Sequence, residues 1–268
     1  MLYRQAQGLT WLYSPTWEEQ GVTVAFSTRA GGASGVPFKG LNLGLHVGDD
    51  QDQVRLNRQH WLQAMTINEQ PCCAQQIHGT QVAVVTGEDA GQGYLNYRDS
   101  LPGVDGMVTN TSQLPLFTAY ADCIPVFLFD PQQRVIGLLH SGWQGTAGRI
   151  SQRAVELMSL TYGSRPQDIQ AIIGPGIGPC CYQVDTRVAT IFRKEFAEHR
   201  QLLYPKNQDS YWYLDLKRAV QQTLIASGLD ANAIEDASIC TCCRRDLFYS
   251  HRGEQGKCGR MGALIELR

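Results

Sequence analysis

With 268 residues, 43% of them hydrophobic and 18% charged, the chain carries enough apolar material for a sizeable core. A net charge of −2 provides no electrostatic footprint for nucleic acid and no basic run marks a membrane surface, so a small-molecule partner is the default. No apolar h-region follows the first residues and no apolar stretch is long enough to span a bilayer, which predicts a cytoplasmic protein. Without repeats, low-complexity segments or a Pro/Gly-rich linker, residues 1–268 read as one domain.

Residues 21–27 alternate as a strand and run into the glycine-rich turn Arg29-Ala30-Gly31-Gly32-Ala33-Ser34. Residues 52–65 place Val54, Trp61, Leu62 and Met65 on roughly one helical face; polar Asn57 and Arg58 interrupt that stripe and Leu56 lies off it. The centre is strand-rich, with short apolar or β-branched runs at 81–86, 114–121, 124–130 and 134–140. Asp130-Pro131-Gln132-Gln133 predicts a hairpin turn between the last two. Beyond His140 a glycine-spaced loop, Gly142 to Gly148, leads into Ile150, Ala154, Leu157 and Met158, the stripe of a helix that ends at Gly163. Residues 169–173 form a buried-type strand, and 185–197 and 215–226 read as amphipathic helices with aspartate near their starts. Strands outnumber helices and do not alternate with them as βαβ units, which predicts an α+β fold with antiparallel or mixed sheets.

The chemistry concentrates at three turns. Cys123 precedes Ile-Pro, His140 precedes Ser-Gly, and His78 precedes Gly79. Each taken singly is a core residue by default. Together they form a His/Cys/His set that suits a divalent metal with a fourth position open for water or substrate. Zinc there would lower the pKa of bound water to about 7 and polarise a carbonyl or phosphoryl oxygen. Copper is the competing occupant, although none of the five methionines sits in a short Cys-to-His-to-Met loop and no His-x-His pair exists, which disfavours electron-transfer and laccase-type copper. A Cys123/His140 nucleophilic dyad uses the same residues but leaves His78 without a role.

Two further signals stay open. The Gly142 to Gly148 loop opens a helix and its N–H groups could receive a phosphate or carboxylate, or its glycines simply permit a sharp turn. Arg29, Arg149, Arg252 and Arg260 lie in or beside glycine-containing loops, where a guanidinium can grip an anion with two bonds.

Nine cysteines, an odd number with neighbours at Cys72-Cys73, Cys180-Cys181 and Cys240-Thr241-Cys242-Cys243, fit reduced thiols better than a disulfide framework. Cys240-Thr241-Cys242-Cys243 has the C-x-x-C spacing of a zinc knuckle or redox pair, with Cys258 following, yet the second C-x-x-C that a structural site needs is absent.

The ordered motifs resemble the YfiH-like family, long called laccase-domain or polyphenol oxidase proteins and described as purine nucleoside phosphorylases. Those motifs are Phe26-Ser27-Thr28-Arg29-Ala30-Gly31-Gly32, Leu41-Asn42-Leu43-Gly44, Gln76-Ile77-His78-Gly79, Asp105-Gly106, Ala121-Asp122-Cys123-Ile124-Pro125, His140-Ser141-Gly142-Trp143-Gln144-Gly145, Ile173-Gly174-Pro175 to Cys181-Tyr182, and Phe248-Tyr249-Ser250-His251-Arg252. The resemblance implies a single-domain α+β fold with layered α/β/β/α packing and a metal held by His78, Cys123 and His140. It implies phosphorolysis of adenosine, inosine, guanosine and methylthioadenosine, with adenosine deamination in the same pocket. By motif position it makes Arg29 and Asn42 phosphate- or sugar-binding residues, adds Arg252 to the pocket, and gives Asp122 a part in orienting a ligand or moving protons. Many relatives carry a second arginine after Ser-His-Arg where this chain has Gly253. The same family name also carries copper-dependent polyphenol oxidation and amide-bond editing of peptidoglycan precursors. A non-catalytic metal-dependent binding module is the alternative outside enzymology.

Overall fold

Two sheets lie face to face with helices covering the outer side of each, as the computed structural model shows for residues 1–205 and 211–268. One sheet runs in the order Leu2–Ala6, Leu9–Tyr13, Val22–Ser27, Met261–Leu267, Leu116–Tyr120, Cys72–Gln75 and Leu101–Pro102. The other runs Ile234–Asp236, Gln170–Ile173, Ile124–Asp130, Val135–Ser141, Gly106–Thr109 and Val82–Val84. Most neighbours are antiparallel, while pairs such as Val82–Val84 with Gly106–Thr109 are parallel, so both sheets are mixed. A small third sheet joins Gln183–Asp185, Tyr211–Leu214 and Leu203–Pro205.

The layering explains why Ile124–Asp130 reads as an unbroken apolar run. Phe127 and Phe129 point between the sheets, against Phe26, Tyr120 and Ile265. Val126 and Leu128 point the other way, onto Ile150, Ala154 and Met158 of the helix Ile150–Tyr162 and onto Ala219 and Val220 of the helix Leu216–Ala226. A strand covered on both faces needs apolar residues at every position. Each such side chain withdrawn from water contributes about 1.5–3 kcal/mol. The outer face of the first sheet is covered by Trp61, Leu62 and Met65 at the end of the helix Gln51–Ala64. The expected α/β/β/α packing is therefore the packing observed.

The predicted hairpin is present, with Val135↔Asp130 in register and Asp130 Oδ1 accepting from the N–H groups of Gln132 and Gln133 at 2.8 and 3.1 Å. Asp185 and Asp215 cap the helices Thr186–Glu195 and Leu216–Ala226. The glycine-spaced segment differs from expectation, because Trp143–Ala147 winds into a short helix of its own before Ile150–Tyr162 begins. The N-terminal hairpin and the strands Cys72–Gln75 and Met261–Leu267 were not singled out from the sequence.

Asn57 and Arg58, the polar breaks in the helical stripe, are buried anchors. Asn57 donates to Ser34 Oγ and the Asn42 carbonyl and accepts from Ala33 N–H; Arg58 donates to the carbonyls of Leu43, Gly93 and Tyr94. They fasten the 30–45 segment to the helix, and that segment reaches the pocket at His46. Among the described residues no helix is long and apolar enough to cross a membrane.

Candidate metal centre and pocket

Three separate turns bring His78, Cys123 and His140 together, with one ligand atom from each lying within 4.8 Å of the others. His140 stands near the end of the strand Val135–Ser141, held there by pairing with Pro125 on the neighbouring strand. Cys123 immediately precedes that neighbouring strand, Ile124–Asp130. His78 sits on a turn after Cys72–Gln75 with φ +62°, and Asp122, next to Cys123, has φ +84°. Left-handed backbone at two non-glycine residues of one site is strain that the surrounding hydrogen bonds must hold.

At the His78 turn those bonds come from Asp105. Its fully buried carboxylate contacts His140 Nδ1 at 2.8 Å and accepts from the N–H groups of Ile77, His78 and Gly79 at 3.1, 3.0 and 2.6 Å. Burial works against its charge, but the His140 contact and the backbone donors hold the carboxyl below its ordinary range. An ionised Asp105 keeps the proton of His140 on Nδ1 and leaves Nε2 as the free lone pair, the arrangement of a metal-binding imidazole.

Burial also opposes ionisation of the Cys123 thiol, yet the charge of His140 and hydrogen bonds from His140 and His78 pull it down from its ordinary value. The reciprocal effect on His140 is upward: burial disfavours the imidazolium, while Cys123 and Asp105 favour it. The contact with His140 therefore favours the thiolate on Cys123. A thiolate is also the form in which cysteine binds metal. Gly142 leaves the room for this contact, since a Cβ there would come within 3.0 Å of His78 Cδ2 and 3.1 Å of Cys123 Sγ. Two nitrogens and one sulfur around an open position fit zinc or copper by ligand type.

The trio opens into a pocket of about 400 Å³. Trp143, Ile177, Tyr182 and Leu216 supply apolar wall, and His46, His251, Arg252 and Arg260 supply polar wall. Arg252 crosses the Tyr182 ring at 5.3 Å and donates to the Gln183 carbonyl at 2.8 Å. Asp122 lines the pocket too, but its carboxylate is engaged by Thr241 Oγ1, Ser250 Oγ and the Arg252 N–H at 2.7, 3.0 and 2.7 Å.

Two residues expected to touch phosphate or sugar lie outside this lining. Arg29 pairs with Glu254 at 3.0 Å and covers the Tyr249 ring at 4.4 Å. Asn42 is fully buried, donating to Asp49 and accepting from the N–H groups of Gly44 and Arg260, so it meets the pocket only through Arg260. Arg149 is likewise turned away, onto Phe196 and Thr223. Conversely Asp105, Tyr182, His46 and His251 were not picked as site residues. Asp105, Tyr182 and His251 stand within the family-like motifs, but Asp105 is 27 residues from His78 and 35 from His140, so its contact with both turns leaves no local signal.

Similarity to known proteins extends over most of the chain. Residues 23–268 match the family model described as multi-copper polyphenol oxidoreductase laccase. The chain is 38% identical over 267 residues to a protein of Geobacillus stearothermophilus named purine nucleoside phosphorylase YlmD, covering 98% of this chain and 97% of that one. It is 30% identical over 257 residues to purine nucleoside phosphorylase YfiH of Escherichia coli K12, covering 96% and 98%. Among solved structures, a Bacillus licheniformis hypothetical protein YfiH superposes with TM-score 0.94 at 35% identity over 99% of both chains. YlmD from Geobacillus stearothermophilus gives 0.93 at 37% identity, over 99% of this chain and 98% of that one.

Proposed function

The chain belongs to the multi-copper polyphenol oxidoreductase laccase family, and from that premise we propose that it is a zinc-dependent purine nucleoside phosphorylase with adenosine deaminase side activity. The observation that carries the reading is the convergence of His78, Cys123 and His140 on the floor of an open pocket that also presents Arg252 and Arg260. The names of the Geobacillus stearothermophilus and Escherichia coli relatives, both purine nucleoside phosphorylase, support the reaction class.

In phosphorolysis a phosphate oxygen bonds to the sugar C1′ as the bond from C1′ to the base nitrogen breaks, and the purine leaves with that electron pair and takes up a proton. A bound zinc ion would supply Lewis acidity and an activated water. The protein's own groups do the rest. Arg252 and Arg260 bind and orient the phosphate through charge-assisted hydrogen bonds, and Trp143, Tyr182, Ile177 and Leu216 take up the flat base and exclude water. Asp122 is a positioning residue: by accepting from the Arg252 N–H and from Ser250 and Thr241 it fixes the wall that carries the guanidinium. Arg29 and Asn42 support the same wall from behind. In deamination, water adds at the amino-bearing carbon of adenosine, the carbon–nitrogen bond breaks, and ammonia leaves to give inosine.

The test is direct. Purified protein given inosine and phosphate should release hypoxanthine and ribose 1-phosphate, and base release independent of phosphate would overturn the reading. Chelator treatment should abolish the activity and zinc restore it. Activity surviving full metal removal would transfer the chemistry to the Cys123/His140 pair, and copper-dependent oxygen uptake with a phenol would restore the oxidase reading. A multinuclear copper centre needs several imidazoles around adjacent ions, whereas this trio offers two.

A further inference from the structure

Away from the pocket floor, the sulfurs of Cys180, Cys181, Cys240 and Cys243 lie within 4.8 Å of one another. We propose that these four thiols form a second metal site, a closed tetrathiolate that binds a structural divalent ion of the zinc type. Cys240-Thr241-Cys242-Cys243 has the knuckle spacing, and the pair it lacks in the sequence is supplied by the distant Cys180-Cys181.

The backbone brings the two segments into register. Gly176 and Cys240 form an isolated parallel bridge, with Gly176 N–H donating to the Ile239 carbonyl at 3.2 Å and Thr241 N–H to the Gly176 carbonyl at 3.1 Å. Cys181 and Tyr182 N–H groups then fold back onto the Gly178 carbonyl at 3.0 and 2.9 Å, which swings both upstream cysteines toward the knuckle. The Sγ atoms of Cys180 and Cys181 each stand 3.4 Å from that of Cys243. Covalent disulfide sulfurs are about 2.05 Å apart. The edge of a tetrahedron with metal–sulfur bonds of about 2.3 Å is about 3.8 Å. The cluster is close to the second distance and contracts or opens by tenths of an ångström to reach it.

Two details favour a metal over a redox pair. Gly178 N–H donates to Cys240 Sγ at 3.2 Å, the kind of outer hydrogen bond that stabilises thiolate on a metal. The same glycine keeps the centre clear, since a Cβ at 178 would stand 3.3 Å from Cys180 Sγ and 3.3 Å from Cys240 Cβ. A disulfide would use two sulfurs and give Cys243 two equivalent partners, whereas a tetrahedral ion uses all four. An ion here would staple the segment bearing Ile177 and Tyr182 to the one bearing Thr241, whose hydroxyl holds Asp122.

The experiment uses the full chain, reduced, loaded with zinc and freed of excess by gel filtration. Elemental analysis should find one zinc equivalent more in the unaltered protein than in the Cys180→Ser/Cys243→Ser double variant, whatever the pocket trio binds. Cobalt substitution should give the intense ligand-field bands of a tetrathiolate, lost in the double variant. Because the variant could fail for want of folding, alkylation of the unaltered protein supplies an independent reading: zinc should protect these four cysteines, located by peptide mass spectrometry. Equal alkylation with and without zinc would overturn the proposal. So would a reduced protein that takes up no ion at these thiols and forms a bridge to Cys243 on oxidation, which would make the cluster a redox pair.

Discussion

Asp105 Oδ1 lies 2.8 Å from His140 Nδ1, and the same carboxylate accepts the backbone N–H of His78, so one buried acid orients the His140 imidazole and holds the turn that carries His78. Metal ligands are tuned by the groups that hold them, and losing such a partner typically costs 10–100-fold in affinity. Asp105→Asn keeps the side-chain volume but cannot hold His140 in one tautomer while accepting three backbone donors. Zinc affinity, measured by competition with a chromogenic chelator, should fall by about that 10–100-fold factor. An unchanged affinity in a folded variant would remove Asp105 from the account.

Gly142 makes the complementary prediction on steric grounds. A methyl group at this position would press on His78 and Cys123 at 3.0 and 3.1 Å. The Gly142→Ala protein should keep its fold, because Gly142 is an extended N-cap with φ −73° that alanine can adopt. Its metal affinity should drop by roughly tenfold, the equivalent of about 1.4 kcal/mol of misplaced ligands. Retention of full affinity together with full thermal stability would show that the trio has slack.

Arg58 tests the anchoring of the segment that reaches His46. Burial pushes its guanidinium pKa down, yet the group remains bonded to three main-chain carbonyls. Arg58→Ala leaves those acceptors dry and a void beside Phe117, for an expected loss of about 3 kcal/mol in urea unfolding. Arg58→Lys should lose less, because an ammonium can reach some of the same acceptors but cannot span them as a planar fork. A cost within 0.5 kcal/mol, the range for ordinary surface changes, would contradict the assignment.

Glu266 predicts a pH dependence. It is 8% exposed on the strand Met261–Leu267, and burial raises its carboxyl pKa, opposed by Arg268 and reinforced by Glu69. A raised folded-state pKa means that folding favours the protonated form. The associated stability is present below the unfolded pKa of about 4.3 and is lost as pH rises through the folded value. Glu266→Gln should therefore be more stable than the parent at pH 7 in thermal melts, with the gap closing in acid. A gap that widens as pH falls would reverse the assignment.

Legibility in the sequence followed how locally each feature is encoded. The run at 124–130 and the turn at 130–133 became strand and hairpin with the predicted limits, because an unbroken apolar stretch and an aspartate-proline turn act within a few residues. The helix at 52–65 was legible from its apolar stripe, but Asn57 and Arg58 looked like defects, since their partners lie on loops far along the chain. The glycine-spaced segment after His140 reads as a tight loop opening a helix. Its winding into Trp143–Ala147 depends on Thr146, whose hydroxyl bonds Ser141 Oγ and donates to the Gly142 carbonyl. Met261–Leu267 carried a short apolar run at the very end of the chain, and only its place between two other strands makes it central.

The sequence by itself determined the ligand types, two imidazoles and a thiol beside tight turns, because side-chain chemistry and turn propensity belong to single residues. The tertiary structure decided which groups meet. It joined Asp105 to His140, turned Arg29 and Asn42 away from the pocket while placing Arg252 and Arg260 on its wall, and carried Cys180 and Cys181 to the C-terminal knuckle. Distances between side chains remote in sequence are set by how two sheets and their covering helices pack, and no local pattern records that packing.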